Sequence, residues 1–204
     1  MADMLTAEQL RIVPANEASW EDFQTVFGTR GDPRRCQCQW FKLASSEWRG
    51  MPPAELESRQ RGETNPGDPG AEVTTGLIAY VDAEPAGWVA VEPRVNYLRL
   101  KTQRIPWLGR TEDKEDGGVW AMTCFVVRPD FRRRGLMHAL VHAAAGFARE
   151  RGATAVEGYP MIVRPGQEIT WGELFVGARS AFAAAGFGEV SHPTERRVVM
   201  RIDF

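Results

Sequence analysis

The stretch that decides the fold is residues 119–159, VWAMTCFVVRPDFRRRGLMHALVHAAAGFARERGATAVEGY. It begins with 119–127, which is apolar at nearly every position, as is typical of a strand buried on both faces in the centre of a sheet. Apolar residues then recur at helical spacing over 134–151, and Gly152 follows as a C-terminal cap. A second strand is predicted at 154–159. Strand, helix and strand in so short a stretch form a βαβ unit, so we expect the two strands to be parallel.

The other predicted elements lie on both sides of this unit and complete a mixed α/β pattern. Asn16 is a predicted helix cap, because its side chain can accept from the free N–H groups of a first turn. Residues 29–35 are predicted as a loop and 92–118 as a long connection, basic first and then acidic. The remaining predictions are an extended segment at 11–15, helices at 16–27, 53–62 and 171–185, strands at 76–81 and 87–91 around a turn at 82–85, and strands at 187–190 and 197–202.

The composition favours an ordinary globular protein. The chain has 204 residues, is 43% hydrophobic and 25% charged, and carries a net charge of -2, which argues against a protein that coats nucleic acid. It has no apolar run long enough to span a bilayer and no secretory signal pattern at its start, and three cysteines do not make a disulfide framework. We therefore expect a reduced cytoplasmic protein with neither nucleic acid nor membrane as a partner.

An anion site is predicted where the buried strand passes into the helix. The first N–H groups of a helix have no acceptor within it, and the helix dipole is positive at that end. Gly135 lets the backbone come close to a ligand, and Arg132, Arg133 and Arg134 add positive charge. This arrangement favours a pyrophosphate over a DNA backbone.

The pattern Val127-x-Pro129-x-x-Arg132-Arg133-x-Gly135 resembles the acyl-CoA motif of the GNAT superfamily of N-acetyltransferases, whose core reads Gln/Arg-x-x-Gly-x-Gly/Ala. The element order is similar over residues 11–203. The resemblance implies one GNAT domain over 1–204, of α/β (α+β) class, with a mixed, mostly antiparallel sheet splayed between two parallel strands and flanked by helices. It also implies acetyl-CoA, with its pantetheine on the cofactor strand and its pyrophosphate on the loop. The matching residues are Cys124, Phe125, Val126, Val127, Arg132, Arg133, Arg134, Gly135, Leu136, Met137 and His138.

Two residues depart from the family pattern. Met137 stands where the motif has glycine or alanine, so its side chain either narrows the approach of the phosphates or points into the core. Phe182 stands where many members have a tyrosine that protonates the departing thiolate, and a phenyl ring has no proton to give.

Acetyl transfer to an amine requires that the ammonium lose a proton, that the carbonyl oxygen be stabilised and that the thiolate leave. A strand N–H near Phe125 is expected to polarise the carbonyl. Glu157 is the predicted base, because small apolar neighbours on the strand opposite the cofactor strand would make its carboxylate more basic. Tyr159, on the same face, is the predicted acid. The alternatives are that Glu157 is a surface carboxylate and Tyr159 a core aromatic.

The acceptor site is predicted from aromatic, acidic and cysteine residues. An Arg-Cys-x-Cys-x-Trp pattern at 35–40 is similar to one poorly characterised GNAT subgroup. No metal is predicted, since a structural zinc needs four ligands and the one cysteine left lies in the buried strand. An aromatic and acidic pocket would suit a cationic amine. The predicted substrate-binding residues are Cys36, Trp40, Trp88 and Glu92.

These observations predict an N-acetyltransferase that moves an acetyl group from acetyl-CoA to the primary amine of a small molecule or peptide, by direct attack in a ternary complex. Two alternatives remain: an acyltransferase that uses another acyl-CoA, and a CoA-binding module that senses or sequesters a ligand without catalysis. The sequence also leaves a homodimer open.

Overall fold

The computed structural model of the protein describes residues 4–164, 166, 169–170 and 172–204. The strands in these ranges are β1 Leu10–Pro14, β2 Leu77–Val81, β3 Glu84–Pro93, β4 Val119–Val127, β5 Ala155–Gly158, β6 Gly188–Thr194 and β7 Arg197–Asp203. The α-helices there are α1 Trp20–Phe27, α2 Gly31–Cys36, α3 Ser45–Gly50, α4 Pro53–Thr64, α5 Leu98–Thr102, α6 Leu136–Glu150 and α7 Arg179–Ala184. The strands form one sheet in the order β1-β2-β3-β4-β5-β7-β6, so β4 is central, as predicted.

The predicted βαβ unit is confirmed. β4 and β5 run parallel, with Val119 opposite Ala155 and Met122 opposite Gly158, while the other strand pairs are antiparallel. Beyond Met122, β4 continues to Val127 along β3 alone among the described residues. The chain that leaves β5 turns away, and Met161 forms bridges to Ala178 and Arg197 instead. The sheet is therefore splayed between its two parallel strands, and the predicted fold class is confirmed.

The two faces of β4 are both covered, which explains its continuous apolar sequence. Phe125 and Val127 belong to the core beneath α6, while Cys124 and Val126 belong to the core beneath α1. On β3, a Cβ built on Gly87 would lie 3.1 Å from Leu136 Cδ2 and 3.3 Å from Leu140 Cδ1. The glycine thus lets the first turn of α6 pack close against the sheet, which sets where this helix begins relative to the end of β4.

Several predicted boundaries were wrong. α1 is capped by Ser19, whose side chain accepts from the N–H of Asp22, and not by Asn16, which lies in a short 3-10 turn. The predicted loop at 29–35 contains α2, and the connection at 92–118 contains α5.

The last predicted helix, 171–185, was also too long. Trp171 lies outside the described residues, residues 174–176 form a 3-10 turn, and α7 begins only at Arg179. Gly177, at φ +85°, separates the two, because few other residues adopt that backbone conformation. No helix in the described part of the chain is both long and apolar enough to cross a membrane.

Candidate active site

A cavity of about 960 Å³ lies beside the half of β4 that β5 leaves unpaired. One wall is Cys124–Val127, and another is the segment from Thr25 to Phe41 that carries α2. Tyr159, just after β5, and Arg197, at the start of β7, also line the cavity. The splay of the sheet therefore opens directly onto an enclosed space large enough for a ligand of a few hundred Å³ or more.

A bulge in β4 lies beside the point where the strands separate. Ala90 of β3 lies opposite Cys124 and Val91 opposite Met122, so Thr123 has no residue opposite it. Bulges bend the strand and redirect the side chains that follow. From this bulge onward the free edge of β4 presents backbone groups to the cavity, as an extended ligand would require. All four predicted cofactor-strand residues, Cys124–Val127, line the cavity.

The loop at 132–138 has the conformation of an anion-binding turn. Arg133 has φ +59° and Gly135 φ +86°, and left-handed residues in a turn can direct neighbouring N–H groups toward one point. Among the described residues, the backbone N–H groups of Arg133, Gly135, Leu136 and Met137 donate to no backbone acceptor. These free donors fit a pyrophosphate at the start of α6.

The loop and the cavity meet at one residue. Of the seven predicted loop residues, Arg132 lines the cavity, and its side-chain Nε donates to the carbonyl of Val127 at 3.1 Å. Leu136, the first residue of α6, is buried in the core between this helix and the sheet. His138 is exposed in the first turn of the same helix. The other predicted loop residues follow Arg132 in the sequence but do not line the cavity.

Met137 points away from the phosphate approach. Its sulfur accepts from the N–H of Ala178 at 3.3 Å, and its side chain packs against the core beneath α6. Of the two orientations that the sequence allowed, the structure shows the one directed into the core. The departure from the small residue of the family motif therefore leaves the loop's N–H groups uncovered by this side chain.

Glu157 lies in a charged environment, and the predicted apolar setting was wrong. Its side chain is fully buried, with Oε2 at 3.2 Å from Arg94 Nη1 and 2.6 Å from Arg110 Nη2. Trp107 stacks near both guanidinium groups, at 4.7 and 4.9 Å from its ring centroid. The alternative of a surface carboxylate is excluded by the same burial.

Tyr159 lines the cavity, and its hydroxyl donates to Oε1 of Glu157. Burial, and then the charge of Glu157, raise the pKa of Tyr159 well above its ordinary value, because both disfavour a buried phenolate. The phenol therefore keeps its proton at neutral pH. Glu157 is absent from the described cavity lining, so its predicted role as base has no support from the geometry.

Of the four predicted substrate-binding residues, two line the cavity and two do not. Cys36 and Trp40 line the cavity. Trp88 is fully buried beneath α1, 4.8 Å from the ring centroid of Phe23. Glu92 is buried outside the described cavity lining, where it pairs with Lys42 at 2.5 Å. Trp88 and Glu92 therefore do not share the cavity with Cys36 and Trp40, because β3 is covered on both faces and the sequence does not show which residues remain accessible.

The three cysteines converge on the cavity as free thiols, at Cys36, Cys38 and Cys124. Burial, together with the neighbouring Cys38, raises the pKa of Cys36 to about 12. A hydrogen bond with Cys38, and then burial, raise the pKa of Cys124 well above its ordinary value. No group of residues in the described ranges could hold a metal ion. The cluster is therefore a neutral, weakly polar part of the wall.

We expect Cys36 to react with iodoacetamide at about pH 8 on the order of a thousandfold more slowly in the folded protein than in the unfolded chain. Only the thiolate attacks, and a pKa raised from 9.0 to about 12 removes nearly all of it. Mass spectrometry of the alkylated peptide over time measures both rates, with Cys36→Ser as the control for the other two thiols. Equal rates would show that the thiol ionises normally.

The charged residues of the cavity wall are mainly basic. The arginines are Arg30, Arg35, Arg128, Arg132 and Arg197, and the one carboxylate among the described lining residues is Asp32. The sequence reasoning missed Arg35 and Arg197. Arg35 opens the Arg-Cys-x-Cys-x-Trp pattern, from which only Cys36 and Trp40 were predicted to bind substrate, and Arg197 stands at the start of a predicted closing strand, where no pattern marks a site.

The comparisons agree with this geometry. The family model described as acetyltransferase (GNAT) family matches residues 35–159, more than half of the chain. A GCN5-related N-acetyltransferase from Kribbella flavida has a similar structure, with 16% identity, a TM-score of 0.53 and coverage of 98% of this chain and 100% of its own. A GNAT acetyltransferase from Streptococcus pneumoniae has 12% identity, a TM-score of 0.50 and coverage of 96% and 99%. No curated protein sequence matches significantly. At such identities the solved structures show the fold alone, but the family model covers both the strand and the loop of the candidate site: the chain belongs to the GNAT acetyltransferase family.

Proposed function

We propose that the protein is an N-acetyltransferase that transfers an acetyl group from acetyl-CoA to the primary amine of a small molecule or peptide. Membership of the family supports acyl transfer in general. The observation that carries the proposal is the free edge of β4 in the cavity, next to a loop in which the N–H groups of Arg133, Gly135, Leu136 and Met137 donate to no backbone acceptor among the described residues.

The residues present fit a CoA thioester. An extended pantetheine chain would pair with the backbone of Cys124–Val127, and the pyrophosphate would accept from the N–H groups at 133–137, with Arg132 beside them. The bound thioester supplies an activated carbonyl. A backbone N–H of β4 near Phe125 would then stabilise the negative charge that develops on the carbonyl oxygen.

Tyr159 is the proposed proton carrier. Tyr159 lines the cavity, and its phenol stays protonated at neutral pH, since the pKa of Tyr159 is raised by burial. It would donate its proton to the sulfur as the C–S bond breaks and recover one from the amine as the C–N bond forms, so the protons balance. Glu157 holds this hydroxyl and is therefore proposed as a positioning residue. The raised pKa of Cys36 and of Cys124 disfavours a covalent acyl-cysteine.

Thiol release from acetyl-CoA, measured against a panel of amines beside calorimetric CoA binding, tests the proposal. We expect amine-dependent release, and a fall in kcat on the order of a hundredfold for Tyr159→Phe with CoA affinity unchanged. Tyr80→Phe is the matched control, because the Tyr80 hydroxyl bonds Asp22 of α1 and Tyr80 is absent from the described cavity lining. Absence of CoA binding would overturn the proposal.

A second function, a CoA-binding module without catalysis, is favoured by one observation. Phe182 is fully buried against Phe125 and Phe187, and a Cβ built on Gly158 would lie 2.2 Å from its ring. The position that often supplies an acid in the family is therefore filled by packed hydrocarbon. Tight CoA binding without thiol release on any amine would establish this function instead.

A further inference from the structure

Arg197 is a cation of the cavity wall that lies away from the CoA loop. It is the first residue of β7, and Met161 forms an antiparallel bridge with it. Arg197 therefore lies opposite Met161, which is two residues after Tyr159 in the chain. Arg197, Tyr159 and Val199 all line the cavity. Arg128 and Arg132, by contrast, follow β4 and lie beside the proposed pyrophosphate site.

The guanidinium of Arg197 has no hydrogen bond or ion pair to any part of the chain that the structure describes. Glu173, a carboxylate in its electrostatic surroundings, is already paired with the neighbouring Arg196 at 2.7 Å. Partial burial, and then the charge of Arg196, lower the pKa of Arg197. A half-buried cation without a counter-charge is costly, and an anionic ligand would remove that cost.

The rest of this wall is apolar and aromatic. Trp40, Phe41 and Phe175 line the cavity together with Tyr159, and Trp40 packs edge-on against Trp48 at 4.8 Å between ring centroids. Such a wall suits an apolar side chain, while a planar guanidinium suits a carboxylate, which it can bind through two parallel hydrogen bonds. The predicted acidic pocket for a simple cationic amine is replaced by a basic one.

We propose that the acyl acceptor is an apolar amine that also carries a carboxylate, as an amino acid does, and that Arg197 binds this carboxylate. That the bound amine is an acyl acceptor rests on the proposed function, but the binding of its carboxylate can be measured without any reaction. A phosphonate would satisfy the same cation, so the test separates the two anions.

Calorimetric titration of the CoA-saturated protein with L-phenylalanine, phenethylamine and the aminophosphonate analogue of phenylalanine tests the proposal. These probes share an amine and an aromatic ring and differ in the anion. We expect phenylalanine to bind at least about tenfold more tightly than phenethylamine, as a charged hydrogen-bonded pair provides, and more tightly than the aminophosphonate. The reverse order of the two anions would assign the site to phosphonates and overturn the carboxylate.

Variants of Arg197 test the inference, and a variant of a second arginine outside the cavity lining provides the matched control. Arg197→Gln is expected to reduce the preference for phenylalanine over phenethylamine to near one, and Arg197→Lys to keep part of it. Arg179→Gln should leave the preference unchanged, since Arg179 pairs with Glu189 at 3.2 Å and neither residue is in the described cavity lining. An unchanged preference in Arg197→Gln would overturn the inference.

The outcome separates this inference from the proposed function. If phenylalanine does not bind, the same comparison is made for the other standard amino acids and their decarboxylated amines, and no carboxylate preference in any pair overturns the inference. A carboxylate preference that depends on Arg197, without thiol release from acetyl-CoA, would support this site while overturning the acetyltransferase proposal. Thiol release on amines without a carboxylate would do the reverse.

Discussion

Glu157→Gln is expected to lower the free energy of unfolding by about 3–5 kcal/mol. The carboxylate is fully buried between Arg94 and Arg110, at 3.2 and 2.6 Å, and these two side chains are themselves 0% and 2% exposed. Removing the buried negative charge leaves two buried guanidinium groups near each other, with only the exposed Glu112 still paired with Arg110. Urea denaturation of the wild type and the variant measures the difference.

Glu112→Gln is the matched control. Glu112 also pairs with Arg110, at 3.2 Å, but its side chain is 41% exposed, so its loss should cost no more than about 1 kcal/mol. Equal stability of Glu157→Gln and the wild type would contradict the role of the buried cluster. If that stable variant also lost thiol release, the prediction of Glu157 as base would gain the support that the geometry withholds.

The central fold could be predicted because its signals are local. Val119–Val127 is apolar at all positions but Thr123 and is followed by a helical period and Gly152, so strand, helix and parallel strand were predicted within a few residues of their bounds. A fully buried strand and a long amphipathic helix leave the strongest patterns in a sequence. Short elements leave weaker ones, which is why α2, with Gly31 and Pro33 in its first turn, was predicted as a loop.

The surroundings of Glu157 could not be predicted, because they depend on long-range contacts. Arg110 lies 47 positions away, in a connection whose charges show no periodicity. A run that changes from basic to acidic between two buried strands indicates internal pairing at most, and it does not identify Arg94 and Arg110 as the partners. Position on the strand opposite β4 was read correctly, but the chemistry around the carboxylate was not.

The accessibility of single aromatic residues was equally beyond the sequence. Trp40 and Trp88 both stand in apolar surroundings, yet Trp40 lines the cavity while Trp88 lies beneath α1. The difference arises from α1 and α2, which cover one part of the sheet face and leave the neighbouring part open. The packing of these helices is a tertiary property. Residue type alone therefore identifies aromatic residues that could line a pocket, but it does not distinguish the accessible ones from the buried ones.

Gly135→Pro is expected to weaken CoA binding by at least about a hundredfold, since one or two charge-assisted hydrogen bonds account for that much affinity. Gly135 has φ +86°, whereas proline fixes φ near −65° and lacks an N–H. The loop would lose one donor directly and the alignment of the next two. Calorimetric titration with CoA measures the effect, and circular dichroism checks that the fold persists.

Gly135→Asn separates loop geometry from mere bulk, because asparagine adopts the left-handed region more readily than other side chains. A Cβ at this position would meet only the flexible end of Met4, at 2.7 Å, so the variant should keep CoA affinity within about tenfold of the wild type. If the proline variant folds and binds CoA as the wild type does, the N–H groups at 133–137 are not the pyrophosphate site. If both variants lose affinity equally, the absence of a side chain at Gly135, rather than its backbone conformation, is what the cofactor requires.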